Sequence, residues 1–329
     1  MAKLPLCLAI GEYDHVRDVL DGTVPVEGVD LTVLRLPVEE MFHRFLVHEE
    51  FDVSEASLAK MVALAATDDR RFVVLPVFTS RVFRHSSIYV RGEGRIASPG
   101  DLAGTRVGVP EWAQTAAVWS RGLLAHEYGV DLASIHWHQA GVNDAGRREK
   151  VELALPAGFR LDVVADRTLS DMLLEGDLDA VLSARPPAPF DRGDPRVRRL
   201  FPGYREVEIA YARKTGIFPI MHAVAMRREV YERDRWLAMN LFKAFTEAKR
   251  RSLARAADIA VSHHPLPWVP DGLRLSRELF GDDPWPYGVE ANRITLDAFL
   301  RYAFEQGVSR RRLTVDELFV PELRATFRI

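Results

Sequence analysis

Between Arg106 and Gly122 the chain reads RVGVPEWAQTAAVWSRG, and this stretch restricts the folds open to it. Residues 107–109 form a short apolar run with the character of a buried strand. Pro110 closes it, because proline has no N–H to give to a sheet ladder. Glu111-Trp112-Ala113-Gln114-Thr115 is a polar junction, and an apolar-periodic helix follows from Ala116. Strand, tight junction and helix start make half of a βαβ unit. In an open α/β sheet, ligands bind beyond the carboxyl ends of the strands. The free N–H groups of a first helical turn favour an anion there, and Gln114 and Thr115 add side-chain donors. The alternative is that Thr115 serves only as an N-cap. Partners from elsewhere in the chain must decide.

The same unit recurs. Residues 4–10 read as a buried strand followed by the loop Gly11-Glu12-Tyr13-Asp14. Residues 29–34 alternate like a strand, and 38–47 have helical spacing with Met41, Phe42, Phe45 and Leu46 on one face. Residues 51–53 are a short strand with Ser54-Glu55-Ala56-Ser57 at its end, and 58–66 are helical. Strands at 72–77 and 87–90 flank a basic segment ending in Arg81, Arg84 and His85. Residues 139–158 lack periodicity and read as a long loop. Strands at 160–164 and 178–182 surround a helix at 169–175, and Ser183-Ala184-Arg185 follows the second. Prolines 186, 187 and 189 then break regular structure. A charged connection leads to an apolar strand around His222, a long amphipathic helix at 236–260, and a helix at 295–306. The pattern predicts two α/β lobes with the second inserted into the first. Residues 1–97 with 203–329 would form one lobe and 98–202 the other, with a ligand cleft between them.

Composition removes several function classes. A chain of 329 residues, 47% hydrophobic, is long enough for two such lobes, and a net charge of −3 gives no case for nucleic acid. The single cysteine, Cys7, excludes an internal disulfide and a Cys-based zinc site. No apolar run is long enough to span a membrane. The first apolar run ends at Ile10, too short for a secretory leader, so a cytoplasmic location is expected.

Several longer stretches are distinctive together: FDVSEASLA (51–59), FRHSSIYV (83–90), RVGVPEWAQTA (106–116), KTGIFPIMHAVAMRR (214–228), DPWPYGVEANR (283–293) and ELFVPEL (317–323). In these the chain resembles the 4,5-dihydroxyphthalate decarboxylase family over nearly its whole length. The resemblance implies a type II periplasmic-binding-protein-like fold, two α/β lobes joined by a hinge. It also implies a carboxy-lyase that removes one carboxylate from a catechol dicarboxylic acid and leaves protocatechuate, with no organic cofactor.

Such a reaction needs a clamp for the remaining carboxylate, a partner for the phenol and a proton donor over the ring. Arg81, Arg84 and Arg185 are clamp candidates, because guanidinium binds carboxylate bidentately. Thr115 and Gln114 at the helix start would take a second carboxylate, with Trp112 and Ser57 in the neighbouring motifs lining the same space. His222 and His85 are the proton-transfer candidates, His222 placed first as general acid. Glu55 and Glu111 would orient a histidine or accept a phenol proton, and Tyr13 and Asp14 would line the cleft. The bland readings are salt bridges for the arginines, core packing for the histidines and helix-start charges for the glutamates. His85, His222, Glu55 and Asp14 could together hold a divalent ion, but no local ligand spacing supports one, and none is expected. The expected partner is a small aromatic carboxylate, with a homo-oligomer left open. The competing function is a cytoplasmic small-anion binding protein of the transporter type, without catalysis.

Overall fold

A computed structural model describes residues 2–325. Among the described residues eleven strands form two sheets. They are β1 (Leu4–Ile10), β2 (Val29–Arg35), β3 (Val53–Ser57), β4 (Phe72–Arg81), β5 (Ile88–Arg91), β6 (Arg106–Val109), β7 (His136–Gln139), β8 (Arg160–Val163), β9 (Ala180–Leu182), β10 (Val197–Arg199) and β11 (Ile220–Arg227). The first sheet has the order β2-β1-β3-β11-β4, and the second β10-β5-β9-β6-β7-β8. Strands β1, β2 and β3 run parallel, and β11 enters antiparallel between β3 and β4. In the second sheet β9, β6, β7 and β8 are parallel, and β5 is antiparallel to β9 and β10.

The inserted second lobe is present, but its entry lies earlier than residue 97. β5 pairs with β9 and β10, so the chain has left the first sheet before Ile88. The crossing is the single turn His85–Ser87 after β4. The segment near residue 97, where the crossing is expected, lies between β5 and β6 within the second lobe. The return follows β10, close to the expected position, through the helix Tyr204–Thr215. That helix occupies what reads as a charged connection, and Val269–Phe280 is a second helix that starts within the segment of prolines 265, 267 and 270. Among the described residues no helix is long and apolar enough to cross a membrane.

The lobes share a core. One continuous apolar cluster includes Leu8 and Val53 of the first sheet, Val107 and Leu182 of the second, and Trp119 and Phe299 between them. The helix Thr115–Tyr128 is the wedge. Its first ten residues are buried, Trp119 Nε1 donates to the Ile220 carbonyl at 2.8 Å, and Gly122 lies against the ring of Tyr302. A Cβ at Gly122 would meet Tyr302 Cδ2 at 2.1 Å, so the helix Arg293–Glu305 crosses here only over a bare backbone.

Candidate active site in the interlobe cleft

Strand direction gathers the site. The ends of β3 and β4 and the start of the antiparallel β11 all lie at one edge of the first sheet. The segments after β6, β7 and β9 face them from the second. The cavity between has a volume of about 620 Å³ and is lined by residues of both lobes, including Phe42, Ser57, His222, Thr115, Ser183 and Arg185.

His222 stands in this wall, and the buried Glu55 meets it from behind. β11 pairs with β3 so that His222 stands opposite Ser57 and Val224 opposite Glu55. Side chains two residues apart share a sheet face, so His222 and Glu55 are diagonal neighbours. His222 Nδ1 lies 2.6 Å from Glu55 Oε1. Tyr13 donates its hydroxyl to the same oxygen at 2.6 Å, and the Gly11 N–H donates to Oε2 at 2.9 Å. A Cβ on Gly11 would sit 3.1 Å from that oxygen and 2.8 Å from Tyr13, which is why glycine ends β1. Burial alone would raise the Glu55 carboxyl. The His222 imidazole, Tyr13 and Gly11 outweigh it and hold Glu55 below its ordinary value. Burial, then Glu55, pushes the Tyr13 phenol up. A carboxylate at Glu55 accepts the Nδ1 proton of His222 and leaves Nε2 for the cavity. Phe42 packs edge-on against the imidazole at 4.9 Å.

Arg84 also lines the cavity. It is buried, and its guanidinium reaches only Met221 Sδ, at 2.7 and 3.2 Å, and Ser87 Oγ at 3.4 Å. Burial lowers its pKa to about 10, still cationic at neutral pH. A buried guanidinium facing a cavity without a carboxylate partner has the chemistry to hold an anion. Met221, to which it is tied, is the residue preceding His222.

Thr115 and Gln114 lie in the same wall. Thr115 Oγ1 accepts from the Ala59 N–H at 3.0 Å and bonds Ser57 Oγ at 2.9 Å, so it also joins the lobes. Gln114 Oε1 is buried without a partner. Glu111 belongs to a buried cluster. Its carboxylate meets Lys60 at 3.0 Å, Arg147 at 2.7 Å and Lys150 at 3.0 Å. Burial acts to raise its pKa, but Lys60, Lys150 and Arg147 bring it down to about 2. Lys60 also bonds Glu149. Arg185 pairs bidentately with Glu39 across the cleft, at 2.8 and 3.0 Å.

Four sequence candidates lie elsewhere. Arg81 turns into the first lobe, where it donates to the Phe218 and Pro286 carbonyls and to Asn292. Its cation also faces the rings of Phe78, Phe218 and Trp285. His85 is packed edge-on among Tyr128, Phe201 and Tyr211, and burial brings its pKa to about 4. It is neutral and away from the cavity. Trp112 is buried under Arg121, whose guanidinium lies 3.8 Å from the ring centroid, and its indole donates to the Gln306 carbonyl at 2.7 Å. Asp14 is held by Ser252 at 2.6 Å and by Arg255 and Arg17. The four residues considered as a metal set are therefore not assembled: Glu55 and His222 meet, while His85 and Asp14 are engaged elsewhere. Tyr13 reaches the site only through Glu55.

Sequence reading misses Lys60, Arg147, Lys150 and Glu39. Lys60 stands on an apolar helix face, an unusual place for an unpaired amine, and that was the available signal. Arg147 and Lys150 lie in the loop between β7 and β8, where charge looks like solvation.

No family model matches this chain. It is 40% identical over 330 residues to a 4,5-dihydroxyphthalate decarboxylase of Comamonas testosteroni, covering 100% of both chains. A protein of the same name from Pseudomonas putida is 40% identical over 202 residues, 61% of this chain and 78% of that one. In structure it resembles the periplasmic aliphatic sulphonate binding protein SsuA of Escherichia coli, with a TM-score of 0.54 at 13% identity, covering 98% and 99% of the two chains. The fold is thus that of the periplasmic solute-binding proteins, and the chain belongs to the 4,5-dihydroxyphthalate decarboxylase family.

Proposed function

We propose that the cleft decarboxylates a dihydroxylated phthalate-type acid, 4,5-dihydroxyphthalate being the first substrate to test, to give protocatechuate and CO2 without a cofactor. The observation that carries this reading is His222, which lines the cavity with the buried Glu55 bonded behind it, in a cleft that also holds the unpaired cation Arg84. Arg84 binds the carboxylate that stays, with Gln114 and the first turn of the Thr115–Tyr128 helix as further donors. The hydroxyl para to the departing carboxylate gives its proton to solvent, its electrons raise the charge on the ring carbon, and the oxygen takes a proton back once CO2 has left. Protonated His222, held through Nδ1 by Glu55, delivers its Nε2 proton to that carbon. The carbon–carboxylate bond breaks, its electron pair returns to the ring, and CO2 leaves. One proton is consumed for each CO2 released, and no external oxidant or reductant is needed. A cytoplasmic site of action belongs to the same reading.

The test is incubation with 4,5-dihydroxyphthalate while CO2 and the catechol ultraviolet spectrum are followed. Wild type should turn over. His222→Asn should bind the acid with near-normal affinity by calorimetry and lose turnover by roughly 10²-fold or more. Tight binding by wild type without CO2 would establish the small-anion binding reading instead.

A further inference from the structure

Away from the cleft, β7 and β8 bring three metal-binding side chains together. His136 and His138 are two residues apart on β7, so both leave the same face of the sheet. Their ring centroids are 4.4 Å apart. β8 pairs parallel with β7 in a register that sets Asp162 beside His138. Asp162 Oδ2 also lies 2.7 Å from His136 Nε2. One ligand atom from each residue falls within 4.8 Å of the others, and among the described residues no other three histidine, cysteine or acidic side chains gather so. His138 Nε2 is buried without a hydrogen-bond partner, a condition that native interiors avoid. Arg106, the cation acting on His138, is occupied by Asp179 at 3.3 Å and the Gly176 carbonyl at 2.9 Å.

We propose that His136, His138 and Asp162 bind a late first-row divalent cation, zinc in the first instance, and that its occupancy steadies the cleft from outside. Two imidazoles and one carboxylate fill three positions of a tetrahedron and leave the fourth for water. Imidazole nitrogen selects zinc and its neighbours over magnesium or calcium, which prefer oxygen. None of the three residues lines the cavity.

Placement gives the cation its leverage. β8 is an edge strand of four residues, largely exposed. It anchors the far end of the loop that brings Arg147, Glu149 and Lys150 to the Glu111–Lys60 cluster. A cation shared by β7 and β8 clamps both ends of that loop and replaces the exposed His136–Asp162 pair, which by itself is worth little.

The experiment is calorimetric titration of chelator-treated protein with zinc chloride, alongside limited trypsin digestion. Wild type should take up one zinc per chain with micromolar affinity. His138→Ala and the exposed Asp162→Asn should each weaken uptake by about tenfold or more. Zinc should slow cleavage after Arg147, Arg148 and Lys150 in wild type and not in either variant. Asp162→Asn keeps the test sound if His138→Ala fails to fold. The proposal is overturned if wild type shows no saturable uptake, if both variants bind zinc as wild type does, or if magnesium gives the same protection.

Discussion

Arg84 is the residue whose cost and use are easiest to separate. Its guanidinium is buried against a thioether and one distant hydroxyl, which leaves a charge poorly compensated in the empty cleft. Arg84→Met should therefore leave the thermal unfolding midpoint unchanged or raise it, while the substrate concentration for half-maximal rate rises. Loss of a charge-assisted hydrogen bond is worth about 1.5–3 kcal/mol, so the rise should be roughly tenfold to a hundredfold in steady-state kinetics. A lowered midpoint with unchanged kinetics would make Arg84 a packing residue. Arg81 shows why sequence could not distinguish the two. Arg81 ends β4 and Arg84 lies three residues on in one basic segment, yet Arg81 finds carbonyls and aromatic faces within its own lobe and Arg84 finds none. His85 and His222 divide in the same way. Both lie in recognisable stretches, and only the partner 167 residues away, Glu55, and a place in the cavity lining set His222 apart from His85.

Elements were more legible than their boundaries. Apolar runs and helical spacing located β1, β2, β6, β11 and the long helix Trp236–Ala257. Ser54 to Ser57 were expected beyond a strand end but are most of β3. Polar residues in a strand buried on both faces look like a loop, because their partners come from other elements: Glu55 from β1 and β11, Ser57 from the helix Thr115–Tyr128. The Glu111 cluster likewise joins three elements: the β6–helix junction, the helix Leu58–Ala65 and the β7–β8 loop. Glu111 has a folded pKa near 2 against an ordinary 4.5. Its contribution to stability is therefore complete above pH 4.5 and is lost as pH falls toward 2. Glu111→Gln leaves buried Lys60 with Glu149 as its remaining carboxylate partner and should cost about 1–3 kcal/mol at neutral pH. Urea unfolding of both proteins at pH 7 and pH 3 should show that gap narrow on acidification; a gap independent of pH would mean that packing, not charge, is lost.

At the scale of the whole molecule, Glu39 and Arg185 form a strap over the cleft between the lobes. Their side chains are 40% and 65% exposed, so the pair should add less than about 1 kcal/mol to stability. Its effect should appear in ligand escape. In a His222→Asn background, Glu39→Gln should release bound acid faster in stopped-flow experiments without moving the unfolding midpoint; an unchanged release rate would leave the pair as surface decoration. The order of the first sheet has a further consequence, in time rather than space. β4 reaches that sheet's other strands only through β11, which begins 139 residues after β4 ends. At a synthesis rate of about 5–20 residues per second, β3 and β4 wait roughly 7–28 s for the strand that joins them. The second lobe is contiguous between them and can complete its sheet in that interval. A nascent chain is thus a finished inner domain carrying an open sheet edge, the state most exposed to strand-pairing with a neighbour, and the last strand to arrive is the one that bears His222.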